Sequence, residues 1–150
     1  MLRNQPLPPL GRGLCLVAAL PFVAGALIVF LTEGWPRNLA LMVLAGYGGV
    51  ILSFLGAVHW GFAMAAAEPA AEKARLIGGV LPALLAWPCV TAAPPSLSCL
   101  ALAGGMALVL AAEEIALRRG WTPLAYQRKR RLLALLACPS LVAAAVAAIG

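Results

Sequence analysis

Five long apolar runs separated by short polar gaps constrain this chain more than any other feature. They cover residues 13–31, 39–67, 76–93, 97–117 and 132–149. A helix that spans a bilayer needs about 20 predominantly apolar residues. Hydrophobic residues make up 63% of the chain and charged residues 11%, against about 45–50% and about 25% in soluble domains. A water-soluble fold of this size could not cover so much apolar surface. The expected fold is therefore an all-α integral membrane protein, a single membrane domain over residues 1–150 built as a bundle of five transmembrane helices. Residues 1–12, with Pro6, Pro8 and Pro9, read as an irregular tail. The first run is longer than the roughly 7–15 apolar residues of a signal peptide, so it is expected to be a retained helix. The second run would be about 43 Å long as a helix, against a hydrocarbon core of about 30 Å, and must tilt or project.

The net charge of +6 lies in the gaps between the runs. That is the pattern of membrane topology, and it argues against a nucleic-acid partner. With the amino terminus inside and the carboxyl terminus outside, the inner segments hold Arg3, Arg12, Lys73, Arg75 and the six basic residues between Arg118 and Arg131. Only Arg37 lies outside. The opposite orientation would reverse a ten-to-one asymmetry. The segment from Arg118 to Arg131, with Trp121 and Tyr126, reads as a basic loop that sets topology and attracts anionic headgroups. Cys15, Cys89, Cys99 and Cys138 form no C-x-x-C motif, and there is one histidine. No metal site or cofactor is expected; the cysteines read as small hydrophobes, with Cys89 and Cys99 near one membrane face.

The second run carries the chain's most informative stretch, Tyr47 to Gly61, with His59 and Trp60. Gly49, Ser53, Ala57 and Gly61 recur every four residues, and Gly48 and Gly56 add small positions expected near the opposite side. Small residues let membrane helices approach closely, so this helix is expected to pack at the centre of the bundle. His59 lies late in a helix that runs outside to inside, and Glu113 and Glu114 end the fourth run on the same side. Glu114 shares a row with Ala103, Ala107 and Ala111, expected to face inward. That places Glu114 as the partner of His59, with Glu113 as the alternative, and Arg118 one turn beyond. Ionisable residues inside a membrane are functional candidates by default, and histidine titrates near neutral pH. The bland readings are interfacial anchoring for His59 and Trp60, and pairing of the glutamates with Arg118 and Arg119. The candidate functional residues are thus His59, Trp60, Glu113, Glu114, Arg118, Tyr47 and Ser53. No Ser-His-Asp arrangement, H-E-x-x-H, phosphate loop or dinucleotide fingerprint is present, so an enzyme is not expected.

The run Y-G-x-V-I-L-S-F-L-G-x-x-H-W-G from Tyr47 to Gly61 resembles the signature of the transmembrane protein 69-like family, also called domain of unknown function 3429. Leu20-Pro21-Phe22, Leu81-Pro82 with Trp87, and Tyr126 followed by arginines fit it as well. The resemblance covers residues 13 to 137. Ala125 departs from it, where a second aromatic is expected. The resemblance implies a five-helix protein of bacterial inner membranes with mitochondrial relatives, and no established activity. The motif positions it carries over are Tyr47, Ser53, Gly56, His59, Trp60 and Gly61.

Two functions remain open. One is a non-catalytic accessory, assembly or scaffold protein, whose partners are the lipid bilayer and another membrane protein or a second copy of this chain. The other is a proton-linked small-molecule transporter or channel, acting as an oligomer through His59 and Glu113 or Glu114. The prefix before the first run is not an arginine-rich transit peptide. The expected location is accordingly the bacterial inner (plasma) membrane, with the mitochondrial inner membrane as the alternative.

Overall fold

The computed structural model describes residues 10–64 and 69–149, and among them all regular structure is helical. The five helices are α1 (Leu10–Leu31), α2 (Gly34–Met64), α3 (Pro69–Ala92), α4 (Pro95–Arg118) and α5 (Leu124–Ile149). All five are long and apolar enough to cross a membrane. The chain is a multi-pass transmembrane protein.

The helices outrun the apolar runs because hydropathy marks where lipid begins, not where a helix begins. α1 starts at Leu10, inside the segment read as tail; residues 1–9 of that tail, and the end of the second run at 65–67 with Glu68, lie outside the described residues. α3 and α4 open on Pro69 and Pro95. Proline's fixed φ suits a first helical turn, and its missing N–H costs nothing there. The largest correction is at α5, which begins at Leu124 and not at 132. Leu, Ala, Gln, Arg and Lys are good helix formers, so the basic segment continues the span as helix and is not a loop.

Two glycines with positive φ make the turns. Gly34 (φ 61°) starts α2 with two residues between it and the end of α1, and Gly120 (φ 73°) follows α4. At α4 the N–H of Gly120 donates to Leu117 and that of Trp121 to Ala116, at 2.9 and 2.8 Å. This is the Schellman arrangement, which satisfies the last carbonyls of a helix.

The helices close a ring in chain order, α1 against α2, α2 against α3, and so on back to α5 against α1. α2 touches all four of the others and is the most buried span, so it is the centre of the bundle. Its inward side packs Gly48 against Leu102, Leu141 and Phe22, and its other side faces α3. A Cβ on Gly49 would stand 2.6 Å from Val90, and one on Gly56 would collide with the carbonyl oxygen of Gly79. Ala57 and Gly61, expected in this packing row, are exposed instead. A helix has 3.6 residues per turn, so steps of four drift: Gly61 lies about 120° from Gly49, whereas Gly56, expected near the opposite side, lies only about 20° away and also faces α3. The same drift leaves Ala103 buried but turns Ala107 and Ala111 outward.

Candidate functional site

At the end of the bundle that carries the Gly120 turn, three helices bring polar groups together around Glu113. This residue is in the last turns of α4 and is 0% exposed. An unpaired carboxylate there would be costly, and its partners arrive from two other helices. From α5, the Tyr126 hydroxyl donates to Oε1 at 2.9 Å, and the Nε–H of Arg130 is shared between Oε1 and Oε2 at 3.0 and 2.9 Å. From α2, Nε2 of His59 stands 3.4 Å from Oε1. Arg130 is itself buried, and its guanidinium carbon lies 5.8 Å from the centre of the Tyr126 ring.

Phe62, one turn beyond His59 on α2, frames the cluster. Its ring meets Tyr126 edge to face, with centroids 5.0 Å apart, and lies 6.4 Å from His59. A depression of about 10 Å³ lined by Leu55, Met106, Leu110, Arg130, Leu133 and Ala134 adjoins Arg130 toward the membrane interior. It has room for about one water molecule.

Glu114 does not meet His59. It points away from the core toward Arg131, whose Nη2 donates to both carboxylate oxygens at 2.7 Å, and toward Nε2 of Gln127 at 3.3 Å. The reason is azimuth: successive helix residues are about 100° apart. The face of α4 turned toward α2 carries Leu102 and Met106, both buried, and Glu113 continues it. The glutamates pair with arginines of α5, and not with Arg118 and Arg119, which are exposed at the end of α4.

The other candidate residues have structural roles. Tyr47 donates its hydroxyl to the carbonyl of Ala18 at 2.8 Å and sets its ring against Phe22 at 5.0 Å, tying α2 to α1. Ser53 donates to the carbonyl of Gly49 in its own helix. Trp60 is 49% exposed and covers Gly79, where a Cβ would come within 2.5 Å of the indole. Cys89 and Cys99 are free thiols, with Cys99 buried. Arg130, Tyr126, Gln127, Arg131 and Phe62 were missed. A signal for the first existed: Glu113 lies eight residues before Trp121 and Arg130 eight residues after Thr122. A helical hairpin folded about that turn sets them opposite each other.

Among the described residues, no group of three or more His, Cys, Asp or Glu side chains is placed to hold a metal ion. Chemically the cluster is a carboxylate saturated by one cation and one phenol, with an imidazole at its edge. It can hold three helices in register, and it can exchange a proton between His59 and Glu113.

No solved structure matches the chain. Curated relatives do, among them two named transmembrane protein 69. Transmembrane protein 69 of Xenopus tropicalis is 40% identical over 87 residues, covering 57% of this chain and 33% of that protein. Transmembrane protein 69 of Mus musculus is 33% identical over 73 residues, covering 48% and 29%. The matched region thus spans about a third of the length of those relatives. The family model described as protein of unknown function (DUF3429) matches residues 8–146, and the chain belongs to that family.

Proposed function

We propose that this protein is a non-catalytic accessory or scaffold of its membrane, docking another membrane protein or a second copy of itself. The observation that carries this is the state of its one buried acid. Glu113 is held by Arg130 and Tyr126 with no exposed surface, which favours a structural tie over an open conduction path. Such a tie keeps the lipid-facing sides of the helices rigid, as a docking surface must be. The Gly120 end is assigned to the inner side by the basic residues around it, with the amino terminus inside and the carboxyl terminus outside. The membrane is the bacterial plasma membrane. The alternative, the mitochondrial inner membrane, is kept open by the animal relatives.

A second function is favoured by one specific contact. His59 reaches Glu113 at 3.4 Å and keeps 12% of its side chain exposed, which is how a proton donor at the mouth of a transport path would stand. Purified protein in liposomes loaded with a pH-sensitive dye separates the two. A scaffold passes no more protons under an imposed pH gradient than empty liposomes do. A flux that is abolished in His59→Gln would establish transport and overturn the scaffold.

A further inference from the structure

The guanidinium of Arg75, near the start of α3, joins two pieces of chain that flank the cluster. Its Nη1 donates to the carbonyl oxygen of Phe62 at 2.6 Å, and its Nη2 donates to the carbonyl oxygen of Trp121. Its carbon lies 5.8 Å from the centre of the Phe62 ring. Phe62 lies near the end of α2 at Met64. Trp121 is in the turn between α4 and α5. Through Phe62 the same contact reaches Tyr126 and His59. The segment after Trp121 packs inward, with Thr122 4% exposed.

We propose that Arg75 is a strap that holds the α4–α5 turn closed as a lid over the Glu113–His59 cluster, so that releasing it admits water and solutes to the cluster from that face of the membrane. The choice of residue follows from the geometry. Two carbonyls on separate segments require two donors at a fixed spread, which the planar guanidinium provides and an ammonium does not. The same group lies over the Phe62 ring, so one side chain contacts the turn, the end of α2 and the ring that meets His59 edge to face. Gly120, with its positive φ, gives the turn a pivot that no side chain restricts. The strap stands whether the protein is a scaffold or a transporter, since it governs access and not what the cluster does.

His59 is the chain's one histidine, so its modification is a unique reporter. Full-length protein in detergent is treated with diethyl pyrocarbonate at fixed pH, and carbethoxylation of the imidazole is followed on the His59 peptide. Alkylation of Cys99, which is 0% exposed in the core, is followed in the same samples. Arg75→Gln is expected to speed His59 modification about tenfold or more, the scale of one lost hydrogen bond to a charged group, and to leave Cys99 unchanged. Arg128→Gln, an exposed residue on the same end, leaves both rates unchanged. An unchanged His59 rate in Arg75→Gln would overturn the strap. So would a matching rise at Cys99, which would mean general loosening. If Arg75→Gln does not fold, Arg75→Lys keeps the charge and stem but loses the fork, and the same two rates decide by the same criteria.

Discussion

The two ends of the bundle are closed by different chemistry. At the Arg37 end a single arginine ties neighbouring helix ends, donating to the carbonyl of Thr32 at 2.7 Å and to that of Ala147 at 3.3 Å. Below it the helices meet through small residues and apolar side chains, among them Gly48, Gly49, Phe22, Leu102 and Leu141. At the Gly120 end a comparable arginine, Arg75, is joined by a buried carboxylate with three partners. Lipid tails are as apolar as leucine, so apart from the Arg37 hydrogen bonds the first end is held by fit, and each contact can loosen separately. The second end is held by charge in a poorly solvated place. Removing one member there leaves another uncompensated. The difference teaches that this membrane protein spends its few charged residues where failure is concerted.

The largest expected effect is therefore at Glu113. Glu113→Ala strands the buried Arg130 and should destabilise the protein by about 3–5 kcal/mol, read as loss of thermal stability in detergent. If instead it behaves as a surface change, the ends do not differ in kind. Next comes fit: Gly49→Leu should cost about 1–3 kcal/mol by overpacking against Val90, whereas Gly61→Leu should cost close to nothing. Gly61 has no heavy atom within 4 Å of where a Cβ would stand. Equal losses at the two positions would contradict the packing azimuth. The smallest effect is at Glu114, where Glu114→Ala removes a pair whose arginine is 45% exposed and should cost less than about 1 kcal/mol.

The five-helix architecture was legible because membrane insertion writes itself as long apolar runs. The meeting of His59 with a glutamate of the fourth span was legible for the same reason: alternating spans fix depth. Which glutamate was not, because adjacent residues differ by a large azimuth, and rows of four drift away from a true helix face. That drift also misplaced Ala57, Gly61, Ala107 and Ala111. The start of α5 was hidden because arginine-rich sequence next to a span reads as loop by charge, although arginine itself favours helix. Arg130 and Arg131 are neighbours in sequence and opposite in fate, one buried against Glu113 and the other exposed against Glu114. Only the hairpin register tells them apart. Arg75 was read as a topology charge alone, since a side chain that seeks backbone carbonyls leaves no pattern in sequence.

The most direct measurement is a pair of double-mutant cycles run side by side in the same detergent. One uses Glu113→Gln and Arg130→Gln, the other Glu114→Gln and Arg131→Gln, with stability from reversible unfolding. The buried pair should couple by about 1.5 kcal/mol or more, as close, desolvated charge pairs do. The exposed pair should couple by less than about 1 kcal/mol. Equal couplings, or a larger one at Glu114 and Arg131, would contradict the view that the Glu113 cluster is what holds this end of the bundle shut.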